Sequence, residues 1–241
     1  MDKRYRYLIP NGITFISLAC GICAILLATR GELLSAGILV IASYILDMLD
    51  GASARKLEAG SEFGLQLDSL VDMVSLGTAP AVVAFIHLQD AGISGFWVWP
   101  SVLTLPLAGA FRLARFNLQP PKEAGHMDSV GLPISTAGAS VALAVLTDLF
   151  WPDRFMAEYV LVPLLWLMAI FMVSKIAFPS LYAILAAPRR RVVLILLFVF
   201  TTLTMPLFYA WFIWTNAYVG FSVALAGAGR KRPNARARLG L

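Results

Sequence analysis

Apolar stretches of about 20 residues recur along almost the whole chain, and that is the length an α-helix needs to cross the hydrocarbon of a bilayer. They run over Leu8–Thr29, Leu33–Lys56, Gly64–Leu88, Phe96–Asn117, Val130–Phe150, Glu158–Lys175, Val192–Met205 and Pro206–Leu225. Lipid offers a backbone no hydrogen-bond partners, so such runs must be helices. Of 241 residues, 59% are hydrophobic and 14% charged, where soluble domains carry roughly 25% charged residues. The expected fold is therefore all-α, a polytopic membrane helical bundle of about eight transmembrane helices, with a turn near Met205-Pro206 separating the last two. The first run is too long for a signal-peptide core and is read as a retained helix.

The basic residues orient this bundle. Clusters at Lys3, Arg4, Arg6; at Arg55, Lys56; at Arg189, Arg190, Arg191; and at Arg230, Lys231, Arg232, Arg236, Arg238 each flank an apolar run. With both termini cytoplasmic, only Arg30 and Arg154 of the 19 Lys and Arg fall in outer loops, as the positive-inside rule requires. The net charge of +5 thus reports orientation, and no nucleic-acid partner is expected. The tail 226–241 is Arg-rich and aromatic-free, reads as disordered, and suits contact with anionic head groups. The polar loop Leu118–Ser129 lies on the same side.

Four carboxylates stand where lipid should forbid them: Asp47, Asp50, Asp68 and Asp72. Intramembrane acids are expensive and commonly functional. Asp47 and Asp50 are three apart and Asp68 and Asp72 four apart, so each pair shares a helical face. The connection Lys56–Phe63 is short enough to set the pairs opposite one another. Arg55 is the one strong nearby cation and cannot neutralise four acids. Hard oxygen donors of this kind suit Mg²⁺, Mn²⁺ or Ca²⁺ rather than zinc, and a pair of such ions is a recurrent arrangement in phosphoryl chemistry. Gly51, after Asp50, and Gly64, opening the third helix, leave room for a ligand against the backbone. A divalent-cation transporter is the alternative of another class, but it would place the acids near the bilayer midplane and have no use for Gly51, Ala54 or Arg55.

Together these positions form D-x2-D-G-x2-A-R-x8-G-x3-D-x3-D from Asp47 to Asp72, which resembles the signature of the CDP-alcohol phosphotransferases at every fixed position. The resemblance is clear over roughly Asn11 to Asn117 and looser over the rest. It implies a membrane domain over 1–225 with its active site in 47–72, and displacement of CMP from a CDP-linked substrate by a hydroxyl. It also implies that Asp47, Asp50, Asp68 and Asp72 hold two Mg²⁺ or Mn²⁺ ions, and that Asp72 takes the proton of the incoming alcohol. The nucleotide site implied comprises Asp47, Gly51, Ala54, Arg55 and Gly64, joined by Asn11 and Thr14 of a P-N-x-x-T start; Asn11 is equally readable as a helix cap.

The acceptor must be read outside the signature. Ser75-x-Gly77-x-Ala79-Pro80, Arg112-Leu-Ala-Arg115-Phe116-Asn117 and Gly131-Leu132-Pro133 are similar to elements of the integral-membrane phosphatidylserine synthases, although Ser135 replaces that group's usual second proline. The resemblance implies CDP-diacylglycerol and L-serine as substrates, a homodimer, and an inner-membrane location with the active site facing the cytoplasm. Glycerol 3-phosphate, an inositol phosphate or a lipid are the alternative acceptors. Arg112 and Arg115, sharing a face, are the candidates for a serine carboxylate or a lipid phosphate, because a guanidinium pairs bidentately with either; snorkelling that fixes helix depth is their bland reading. Asn117 and Lys175 join this group. Cys20 and Cys23, spaced C-x-x-C in the first apolar run, read as packing residues, since a redox pair needs an accessible thiolate. His87, away from the acids, and His126, in a surface loop, carry no functional expectation. Trp97, Trp99, Trp151, Trp211 and Trp214 read as an interfacial belt.

Overall fold

A computed structural model describes residues 6–118, 129–150, 155–179 and 188–229. It is all-α apart from two short strands. The helices are α1 (Leu8–Ala28), α2 (Leu33–Lys56), α3 (Glu62–Asp90), α4 (Gly95–Asn117), α5 (Ile134–Leu149), α6 (Met156–Val173), α7 (Pro188–Thr204) and α8 (Leu207–Gly229). Strands β1 (Ser129–Val130) and β2 (Ala177–Phe178) pair antiparallel, Ser129 opposite Phe178. Four helices, α1, α2, α3 and α6, are long and apolar enough to cross a membrane.

Several expected boundaries move, and two of the shifts bear on the site and the tail. The fifth apolar run begins at Val130, but α5 starts only at Ile134, because Val130 is in β1 and Gly131, at φ +82°, and Pro133 turn the chain before it. A 16-residue helix spans about 24 Å. At the other end, α8 continues through Gly229, past the expected start of the tail at Ala226; residues 230–241 lie outside those described. The turn between α7 and α8 falls at Met205-Pro206 as expected.

Helix α5 is the axis of the bundle. Every residue from Thr136 to Asp148 is buried, against α2, α3, α6 and α8. Its Thr-Ala-Gly-Ala-Ser-Val-Ala run explains this, because small side chains let helix backbones approach closely where no hydrophobic effect drives association.

Polar contacts pin both ends. At one end Asp148 of α5 accepts from His87 Nε2 of α3 (2.8 Å) and from the backbone N–H groups of Met156 (2.9 Å) and Ala157 (3.0 Å) at the start of α6. The opposite end gathers the starts of α1, α3 and α5 with the ends of α2, α4 and α6. There the chain reverses tightly between α2 and α3: the Ala59 N–H returns to the Ala54 carbonyl (2.9 Å) with Glu58 in the left-handed region at φ 51°, a helix-ending geometry that glycine usually supplies. Ser61 then caps α3 by accepting the Gly64 N–H at 3.0 Å. This short reversal brings the two acidic pairs face to face.

Candidate active site

The last turns of α2 and the first turns of α3 build the acidic centre. Carboxylate oxygens of Asp47, Asp50 and Asp68 lie within 4.8 Å of one another. Asp72 is not one of these three; its carboxyl is in hydrogen-bonding contact with that of Asp47. Asp50 and Asp72 are buried, at 5% and 8% exposure, and Asp47 and Asp68 are half-buried. Among the described residues none of the four forms an ion pair. Acids within membrane helices are costly unless something offsets their charge, and no ion pair among the described residues does so here. Such a group fits a hard divalent cation, which the carboxylates would hold and which would remove that cost.

Hydroxyl groups from neighbouring helices orient the acids. Thr14 of α1 donates to Asp50 Oδ2 at 2.7 Å, with the Pro10 carbonyl 2.9 Å from the same hydroxyl. Ser135, at the start of α5, lies beside Asp47. Thr14 therefore meets the site through Asp50. Ser135 is a site residue that sequence reasoning passed over; the one signal was its departure from the proline usual at that place.

The glycines and Asn11 of the expected nucleotide site lie on the same rim. A Cβ at Gly51 would stand 3.4 Å from Arg55 Nη1, and one at Gly64 would stand 3.1 Å from Ser61 Oγ and 3.4 Å from Asn11 Oδ1. Ala54 is half-buried one turn beyond Gly51. Two expectations give way at this rim. Asn11 is inside α1, which starts at Leu8 behind Tyr7, so it does not cap the helix. Gly64 does not open α3; Glu62 does, with Ser61 as its cap.

At the end of α4 the expected acceptor group divides. Arg112 is buried, with its Nη2 donating to Ser129 Oγ at 3.1 Å and its Nε, among the described residues, without a hydrogen-bond partner. Its charge is within electrostatic reach of Asp72, Asp47 and Asp68. Arg115 spends its donors on backbone: Nη1 on the Val173 carbonyl (2.9 Å), Nη2 on those of Val130 (2.8 Å) and Met172 (3.1 Å). It thereby ties β1 to the end of α6. Asn117 donates to Ser69 Oγ (3.2 Å) and Gln66 Oε1 (3.3 Å), holding α4 to α3 beside Asp68. Lys175 is exposed between α6 and β2.

The remaining residues singled out in sequence fall elsewhere. Cys20 and Cys23 are free thiols. His87 is held by Asp148 at the far end, and His126 and Trp151 lie outside the described residues. Trp97 and Trp99 are exposed, whereas Trp214 donates to Thr201 Oγ1 at 2.8 Å and Trp211 turns inward a buried Nε1 that has no partner among the described residues.

Comparison with known proteins addresses the same residues. A family model described as CDP-alcohol phosphatidyltransferase matches residues 7–173. A CDP-diacylglycerol–serine O-phosphatidyltransferase of Helicobacter pylori is 35% identical over 178 residues, 72% of this chain and 73% of that protein. An archaetidylserine synthase of Methanothermobacter thermautotrophicus is 30% identical over 182 residues, 74% and 73% of the two chains. A CDP-diacylglycerol–serine O-phosphatidyltransferase of Bacillus subtilis is 33% identical over 140 residues, 58% of this chain and 76% of the relative. The matched segment starts beside α1, ends with α6 and contains the whole acidic centre, and the chain belongs to the CDP-alcohol phosphatidyltransferase family.

Proposed function

We propose that this protein transfers the phosphatidyl group of CDP-diacylglycerol to the hydroxyl of L-serine, releasing phosphatidylserine and CMP. The observation that carries the reading is the buried acid cluster faced by the inward guanidinium of Arg112. The names of the relatives support serine as the acceptor. A divalent-cation transporter is not favoured, because the acids sit at one end of the bundle beside a glycine-bearing rim.

In this reading Asp47, Asp50, Asp68 and Asp72 hold two Mg²⁺ or Mn²⁺ ions, with Asp72 the least tightly engaged. The ions, when bound, offset the pyrophosphate charge and polarise the phosphorus under attack. The serine oxygen forms its bond to the phosphorus that carries diacylglycerol while its proton passes to a carboxylate oxygen of Asp72. The bond from that phosphorus to the CMP oxygen breaks, and CMP leaves with the electron pair. Gly51 and Gly64, with Asn11, Ala54 and Arg55 around them, bound the space for the nucleotide. Arg112, with a buried donor to spare, takes the anionic group of an incoming substrate, and Arg115 and Asn117 keep the walls of the site in place. All eight helices lie in the inner membrane, with both termini and the site facing the cytoplasm, and two copies pack as a homodimer.

Purified protein in vesicles containing CDP-diacylglycerol and Mg²⁺ or Mn²⁺ should release CMP on addition of L-serine and not of glycerol 3-phosphate or inositol phosphate. Release with one of the other alcohols but not with serine would sink the serine assignment and leave the reaction class standing. Thr14→Val, which keeps the shape and removes the O–H donor to Asp50, should weaken Mn²⁺ binding by between about 10- and 100-fold, read by calorimetry on the detergent-solubilised protein.

A further inference from the structure

The Ser75-x-Gly77-x-Ala79-Pro80 element is left unused by the site as described, and the structure gives it a definite form. Immediately after Asp72, α3 widens into a π-helical segment, Met73–Thr78, before resuming α-helix at Ala79. The Ala79 N–H reaches back five residues to the Val74 carbonyl, and Thr78 Oγ1 donates to the Met73 carbonyl at 2.9 Å. Pro80 supplies the cause: without an N–H it cannot return the i→i−4 bond to the Leu76 carbonyl.

Glycines from two other helices close on this turn. A Cβ at Gly138 of α5 would fall on the Leu76 carbonyl oxygen and stand 2.9 Å from its carbon; one at Gly21 of α1 would stand 2.6 Å from Ser75 Cα. Ser75 Oγ donates to the Ser17 carbonyl of α1 at 3.1 Å. Ser75, Leu76 and Gly77 are all buried. Both pinching contacts are with backbone, which cannot swing away as a side chain can. A single π-turn adds one residue to the helix and so rotates the remainder of α3 by about 100°. Asp68 and Asp72 precede the turn at the acid centre, and His87 follows it, meeting Asp148 at the far end.

We propose that this π-turn, formed by Pro80 and clamped between Gly21 and Gly138, is the device that positions Asp72 for proton transfer. The inference rests on the reading of Asp72 as the base. Pro80, Gly138 and Gly21 are positioning residues, remote from the substrate.

The test uses full-length Pro80→Ala and Gly138→Ala, with Gly37→Ala as the control. A Cβ at Gly37 would stand 2.7 Å from Leu146 Cδ2, a milder packing insult, against a side chain that can move, about 15 Å along α2 from Asp47. In Pro80→Ala and Gly138→Ala, kcat should fall by roughly 10²-fold, the cost of a small misplacement of a catalytic group, while calorimetric binding of Mn²⁺ and of CDP stays unchanged. Gly37→Ala should lower the melting temperature and keep kcat. Wild-type kcat in Pro80→Ala, or an equal loss in Gly37→Ala and Gly138→Ala, overturns the inference. If Gly138→Ala fails to fold, Pro80→Ala decides, since it adds no bulk. An inactive Asp72→Asn beside fully active Pro80→Ala and Gly138→Ala sinks the positioning role alone; a fully active Asp72→Asn sinks the base and the positioning role together.

Discussion

Asp68→Ala should abolish divalent-cation binding and turnover together. Asp68 is the one member of the 4.8 Å triplet that α3 contributes, so its loss leaves two acids on a single helix face and no opposing ligand. An orienting neighbour of a metal ligand costs about 10- to 100-fold in affinity when removed, and a ligand itself must exceed that. Calorimetry with Mn²⁺ on the solubilised protein makes the measurement, with Asp148→Asn as the comparison. Asp148 is a more deeply buried acid, but its oxygens are occupied by His87, Met156 and Ala157, so that variant should lose thermal stability and keep Mn²⁺ affinity. Undiminished Mn²⁺ binding by Asp68→Ala would remove the metal centre from the proposal.

Asp72→Asn should separate binding from chemistry. The amide is the same size as the carboxyl and keeps a hydrogen-bonding group against Asp47, so the fold and the triplet of Asp47, Asp50 and Asp68 stay intact. What it cannot do is accept a proton from an alcohol. General-base catalysis contributes about 10²–10⁴-fold, and CMP release should fall by that factor while CDP still binds. Normal turnover in this variant would take the base role away from Asp72 and pass it to another group.

Much of this architecture was legible in the residues. A helix repeats every 3.6 residues, so the gaps between Asp47 and Asp50 and between Asp68 and Asp72 were enough to place each pair on one face, and the short connection between them was enough to oppose the pairs. Among the described residues, each helix falls on one of the apolar runs. Four of them meet the length and apolarity of a membrane crossing; α5, the most buried, is shortened by the Gly131–Pro133 turn, a local break that an apolar run conceals.

The division of labour among polar residues was not legible. Arg112 and Arg115 are three apart on one helix with the same chemistry, and nothing local separates them. Only the packing of β1 and the end of α6 against α4 occupies Arg115 with three carbonyls and leaves Arg112 turned toward the acids. Asn117 is likewise committed to Ser69 and Gln66 by the α3–α4 contact, and Ser135 becomes a site residue because α5 begins beside Asp47. The π-turn has a local cause in Pro80, yet its clamp requires Gly21 and Gly138, residues 54 and 62 positions away from Ser75 and Leu76.

By itself, then, the sequence determined an all-α membrane-type chain with two opposed acid pairs, because helical periodicity and the cost of charge in lipid act along the chain and can be read there. Which arginine faces the acids, which hydroxyls hold them, and how the backbone beyond Asp72 is gripped were decided only by the tertiary structure. Those choices are set by contacts between segments far apart in the chain, which no local pattern records.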